Sequence, residues 1–131
     1  MAEQSTTTLR HVETVAIIAV GAFAGSNLRF LAIELASPMA GILVANVLGS
    51  LLLGFLVYEA QYMGVIDRRS RLLFTTGFLS SLTTYSGFVF QTATAGEPAV
   101  VVGYALGTYA LGFTAVLVGR ELARRMRGEP A

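Results

Sequence analysis

The 131-residue chain has no cysteine, no tryptophan and no lysine, and a single histidine, His11, in its polar leader. Without cysteine there is no disulfide framework and no thiol nucleophile, and with one histidine no zinc site of the usual Cys/His kind. Without tryptophan, any aromatic belt at a membrane interface falls to tyrosine and phenylalanine. Charge is scarce as well. Only 13% of residues are charged, against roughly 25% in a soluble domain. No paired carboxylates, His or Cys stand in the apolar interior, which leaves enzymatic chemistry unsupported. The net charge of +1 gives no reason to expect a nucleic-acid partner.

What the chain does have is apolar length. Hydrophobic residues make up 54% of it, and the mean hydropathy is +0.66. The fold class expected is all-α, an integral membrane four-helix bundle, because a spanning helix needs about 20 mostly apolar residues and four segments fit. They run over 15–35, 41–62, 70–94 and 99–120, between a polar N-terminal tail (1–14) and a basic C-terminal tail (121–131). The first is longer than the apolar region of a secretory signal and lacks a clear cleavage site, so it reads as a retained span. Ser37-Pro38, "DRRSR" (67–71) and "AGEPA" (95–99) separate the spans. Connections this short imply antiparallel neighbours.

Arginine sets the orientation. With four spans, the N-terminus, the connection between the second and third spans and the C-terminus share one side. That side holds Arg10, Arg68, Arg69, Arg71, Arg120, Arg124, Arg125 and Arg127, and the two opposite connections hold no arginine. Such a bias predicts cytoplasmic termini. Small residues recur at four-residue spacing in Gly21/Gly25, Ala45/Gly49 and Gly103/Gly107, a pattern that suits close helix packing within the chain or against a partner.

Several polar residues stand where hydrocarbon is expected. Arg29 lies inside the first span, where a central charge costs about 2.5–3.5 kcal/mol on insertion scales; it either snorkels to the interface or faces inward to draw an anion or fix a polar cluster. Asn46 and Ser50 share one face of the second span, and Tyr104 and Thr108 one face of the fourth, by i, i+4 spacing. The densest polar patch is "GFLSSLTTYSGF" (77–88), with hydroxyls at Ser80, Ser81, Thr83, Thr84, Tyr85 and Ser86. Consecutive residues face all round a helix, so no single stripe hides them. Irregular backbone at membrane depth is tolerated only where it is buried in protein or lines a cavity. The expectation is a third helix broken near Thr83, its freed carbonyls suited to a cation and its half-helix N-terminus to an anion. The alternative is an unbroken helix whose hydroxyls bond its own backbone. No acid stands in the middle of a span, which argues against proton-coupled transport.

These motifs resemble those of the CrcB/Fluc fluoride channels over about residues 18 to 120. "GAFAGSNLRF" (21–30) is similar to the first-helix glycine-and-arginine motif. "GILVANVLGSLLLG" (41–54) is similar to G-T-L-x-V-N-x-x-G-S-F-x-x-G, and "GFLSSLTTYSGF" to G-F-x-G-G-x-T-T-F-S-T-F. "YALGTYALG" (104–112) is similar to a fourth-helix pattern of Tyr followed four residues later by Ser. The resemblance implies a passive fluoride channel built as an antiparallel dimer, with two pores and a structural sodium ion, in a prokaryotic cell membrane. It places Asn46, Ser50, Tyr85, Phe88, Tyr104, Thr108, Arg29, Thr84 and Ser86 along the fluoride path. Ser80 and Thr83 fall where backbone carbonyls hold the sodium.

The chain departs from the family pattern at Tyr85 for the first Phe, Gly87 for the Thr of S-T-F, Ile42 for the Thr of G-T-L, and Ser80-Ser81 for the glycine pair. Gln91 stands where many members carry Glu. A homodimer inserted both ways calls for balanced positive charge. The one-sided arginines therefore favour a heterodimer with an oppositely inserted paralogue over a homodimer. Two other functions remain in view. One is a small four-helix multidrug-type exporter, which would want a carboxylate within its first helix, where Glu34 lies too near the end. The other is a non-conducting structural partner subunit of a fluoride channel.

Overall fold

The computed structural model describes residues 2–128, and every regular element in them is helical. Helix α1 (Ala2–Leu35) is continuous, so the segment read as a polar tail carries on the first span as helix. Helix α2 (Pro38–Tyr58) starts on Ser37, whose Oγ accepts from the Ala40 N–H at 3.2 Å, with Pro38 in the first turn. That is the favoured place for a proline, since its missing N–H has no helical partner there. A π-helical turn (Glu59–Met63) extends α2, and Gly64, at φ 63°, closes it by donating to the Glu59 carbonyl.

The third span is built in pieces. Helix α3 comprises Arg68–Arg71, a wide π-helical stretch Leu72–Leu79, and Ser80–Leu82. Thr83 and Thr84 are extended (ψ 155° and 122°), and helix α4 (Tyr85–Thr94) resumes after them. Helix α5 (Pro98–Met126) completes the chain after a turn at Gly96, φ 77°. Three stretches, Thr7–Leu35, Pro38–Met63 and Pro98–Met126, are long and apolar enough to cross a membrane unbroken. The helices belonging to those stretches, with the interrupted α3–α4, form an all-α membrane bundle.

Packing depends on backbone approach, as expected where lipid is as apolar as the side chains. A Cβ on Gly21 or Gly25 would run into the Leu73 and Phe78 carbonyls of α3, and one on Gly77 would lie 2.5 Å from the Ile18 carbonyl. Gly54 and Gly119 bring α2 and α5 together in the same way, against the Val116 and Leu51 carbonyls. Gly103 and Gly107 face open space, so that spacing does not serve packing within the chain. One cluster (Ala45, Leu56, Leu79, Leu82) seals α2 against α3; a second (Ile42, Phe88, Tyr104) joins α2, α4 and α5.

The buried carboxylate Glu59, 2% exposed, fixes the connection between α2 and α3. Its Oε1 accepts from the Ile66 N–H at 2.7 Å, while Arg71 Nη2 lies 3.5 Å from Oε2 and donates to the Ile66 carbonyl at 3.0 Å. Asp67 caps α3, accepting from the N–H groups of Arg69 and Ser70 and from the Ser70 hydroxyl at 2.6 Å. Those bonds, the Ser70 hydroxyl first, hold the Asp67 carboxyl below its ordinary range.

Candidate functional site

The hydroxyl-rich stretch meets its backbone in two ways. Through the wide part of α3, hydroxyls return to carbonyls one turn back. Thr75 Oγ1 donates to the Arg71 carbonyl at 2.7 Å, Ser80 Oγ to the Thr76 carbonyl, and Thr83 Oγ1 to the Leu79 carbonyl at 2.9 Å. A π-helix shifts the amide donor to i+5, so the Thr75 and Ser80 hydroxyls supply a second donor at the i+4 position, while the Thr83 hydroxyl joins its own N–H, at 3.0 Å, on the Leu79 carbonyl. At the break, the partners come from elsewhere in the fold. The Asn46 amide takes both backbone groups of Thr84: Oδ1 accepts from its N–H at 2.8 Å, and Nδ2 donates to its carbonyl at 3.1 Å. Arg29 Nη1 donates to the Thr83 carbonyl at 3.1 Å. Thr84 Oγ1 then accepts from the Gly87 N–H at 3.0 Å and caps α4.

Each feature follows from solvation. Two extended residues leave donors and acceptors without helical partners, and hydrocarbon offers none. An amide side chain carries both an acceptor and donors in one plane, so Asn46 satisfies at once the N–H and the carbonyl that one extended residue presents on the same side. Arg29 faces inward, its charge on the carbonyl that the break exposes.

Beside the break lies an open groove of about 570 Å³ between α2, α3, α4 and α5. Asn46, Ser50, Ser80, Thr83, Thr84, Tyr85, Phe88 and Thr108 line it. Thr108 Oγ1 is buried without a hydrogen-bond partner, unlike Thr92 and Thr114, whose hydroxyls bond carbonyls four residues back at 2.8 Å. Phe88 sits among three tyrosines, with centroids 6.0 Å from Tyr85, 5.6 Å from Tyr104 and 5.7 Å from Tyr109, the last edge-on at 79°. Tyr85 is 72% exposed at the groove's open side. No Asp or Glu is among the lining residues.

Three residues expected along the path stand outside the groove. Tyr104 packs behind Phe88 and donates its hydroxyl to the Met39 carbonyl at 3.2 Å. Arg29 reaches the break from α1, and exposed Ser86 has its hydroxyl 3.3 Å from Thr84 Oγ1. Conversely, Thr75, Tyr109 and Phe113 line the groove without having been singled out from the sequence. Tyr109 and Phe113 have the same i, i+4 spacing as Thr108 and Gly112, one position on, and that repeat was the available signal.

An all-α membrane protein with a largely apolar groove, dotted with hydroxyls and one amide, beside an interrupted helix is the class these features define. The chain belongs to the family described as CrcB-like protein, Camphor Resistance (CrcB), which it matches over residues 16–120. It is 45% identical over 117 residues to the fluoride-specific ion channel FluC 1 of Haloarcula marismortui, covering 89% of this chain and 91% of the relative. To FluC 2 of Halobacterium salinarum it is 42% identical over 117 residues, 88% and 91% of the two chains. To FluC 2 of Methanosarcina mazei it is 36% identical over 118 residues, 89% and 92%. These relatives are prokaryotic and named as ion channels.

Proposed function

We propose that the chain is a subunit of a fluoride-selective channel that lowers cytoplasmic fluoride by passive anion efflux through a dimeric pore. The names of its relatives supply the ion. The observation that carries the reading is the groove at the break, where a helix N-terminus, aromatic rings and an unpaired hydroxyl stand together without a carboxylate. A helix N-terminus favours an anion, and an aromatic edge is the positive part of the ring quadrupole. Both attract a small anion without binding it tightly, which rapid passage needs. Fluoride entering as its protonated form dissociates inside and is trapped; a selective pore lets the membrane potential drive it out. The lack of a carboxylate in the groove disfavours a proton-coupled exporter of the multidrug type.

The groove is open on the side where Tyr85 stands exposed, and a second subunit would close it. The arginine bias favours a partner inserted the opposite way, and relatives named FluC 1 and FluC 2 fit a pair of paralogues. An antiparallel homodimer is the alternative.

The residues at the break suit a sodium ion of the kind the family resemblance implies. Thr84 gives its N–H to Asn46, so the Ser80 carbonyl lacks its i+4 donor, and the Thr83 carbonyl, with two lone pairs, has one left beside Arg29. Oxygen donors of this kind suit a hard cation. Bound there, the ion would add positive charge between subunits, while Arg29 and Asn46 hold the carbonyls in place.

The test is fluoride efflux from liposomes, with chloride and a cationic drug as comparisons. Fluoride-selective flux, from this chain alone or with its paralogue, supports the channel. Drug transport, or no flux in either case, overturns it. Equal flux with and without the paralogue removes the heterodimer.

A further inference from the structure

The groove continues past the break. A second depression of about 460 Å³ between α2 and α5 shares Leu53 and Val116 with the first and ends at Gln61, Tyr62 and Arg120. The two lie end to end, the first beside the break and the second at the arginine-rich end of the bundle.

Arg120 differs from most of its neighbours there. Arg69 is paired with Glu13, Arg71 with Glu59, and Arg124 and Arg125 with Glu121. Arg120 has no carboxylate within ion-pair distance among the described residues, and no acid lines either depression. The Tyr62 ring at the same mouth packs under the Arg127 guanidinium at 5.7 Å. Leu53, Val57 and Val116 form apolar walls below them. A cleft with one sign of charge and low-dielectric walls focuses its field and raises the local concentration of the opposite ion.

We propose that Arg120 is an anion-capture residue. It gathers fluoride at the arginine-rich mouth of the groove and sets the rate of arrival at the break, without contacting ions at the break itself. The inference rests on the fluoride-channel reading. An anionic lipid phosphate is the competing occupant of a depression with apolar walls and a cationic end.

The experiment compares wild type, Arg120→Gln, Arg120→Lys and Arg68→Gln in liposomes of phosphatidylcholine alone, by fluoride efflux at low and high concentrations of an impermeant salt. Screening reaches about 30 Å at 10 mM and about 3 Å at 1 M, so a capture charge acts only at the low end. Arg120→Gln is expected to cut flux by about threefold or more in low salt, a share of the roughly 10- to 1,000-fold that a whole charged cleft gives, and to match wild type in high salt. Arg120→Lys keeps low-salt flux, because charge and not fork geometry matters, and Arg68→Gln leaves flux unchanged throughout. A loss for Arg120→Gln that is equal at both salt levels means a structural role and overturns the proposal. So does no loss in neutral lipid followed by a loss when anionic lipid is added, which assigns the arginine to a phosphate headgroup. No fluoride flux from wild type, alone or with its paralogue, defeats the channel reading itself, whereas wild-type flux with an unaffected Arg120→Gln defeats only the capture role.

Discussion

The Asn46 side chain pairs with both backbone groups of Thr84, accepting at 2.8 Å and donating at 3.1 Å across 38 residues of sequence. One side chain on α2 thereby does for the interrupted helix what a neighbouring strand would do for an extended peptide.

Asn46→Ala leaves that N–H and carbonyl without partners, and an unsatisfied buried group costs about 1–3 kcal/mol. Thermal unfolding in detergent should shift down, and fluoride flux should fall further than stability alone explains. Asn46→Asp keeps the acceptor but sets a carboxylate oxygen against the Thr84 carbonyl, so it should not restore flux. Flux equal to wild type in Asn46→Ala would show that the pairing does not hold the pathway.

Arg29 donates to the Thr83 carbonyl from a different helix. Hydrogen bonds to a charged donor contribute about 1.5–3 kcal/mol. Arg29→Ala should destabilise the fold by an amount of that order, with Arg29→Lys intermediate because an ammonium offers a donor but not the planar fork. Melting curves of the three proteins check the ranking.

Thr84 caps α4 through its hydroxyl. Thr84→Ala should cost about 1 kcal/mol and Thr84→Ser much less, since serine is an equally good cap. Thr84→Val, with the same shape and no acceptor, separates capping from packing.

Gly119 and Gly103 both stand on α5 and should respond oppositely to a methyl group. At Gly119 the added carbon meets the Leu51 carbonyl of α2, and overpacking costs about 1–3 kcal/mol. At Gly103 it meets open space, so Gly103→Ala should stay within about 0.5 kcal/mol of wild type. Chemical denaturation of the two variants measures the contrast.

The Asp67 cap has a pH dependence with a defined sign. Its carboxyl is held below the usual value by the Ser70 hydroxyl and the backbone N–H groups it accepts. The folded state therefore binds that proton less readily than the unfolded one. The contribution is fully present above the ordinary carboxylate pKa of about 3.9 and is lost as pH falls through the lowered folded value. A carboxyl-carbon NMR titration should find the Asp67 midpoint below that of an exposed aspartate, and Ser70→Ala should move it back up.

The sequence by itself determined the solvent and the class. Apolar runs of membrane length, scarce charge and one-sided arginines require a helical bundle in lipid, because backbone polar groups there must bond within their own segment. The clustered hydroxyls of 80–86 also marked where the helix meets something other than lipid. What the sequence left open was the pairing. Arg29 could have snorkelled, spacing sets Tyr104 on a polar track without showing that its hydroxyl bonds the Met39 carbonyl, and Tyr109 and Phe113 pass as ordinary apolar positions. Each outcome depends on which helix faces which and at what rotation, and spacing within one helix carries no information about its neighbour. Only the tertiary structure set the Asn46 amide against the Thr84 peptide, because the close approach of whole helices at glycines such as Gly21, Gly54 and Gly119 fixed their relative positions.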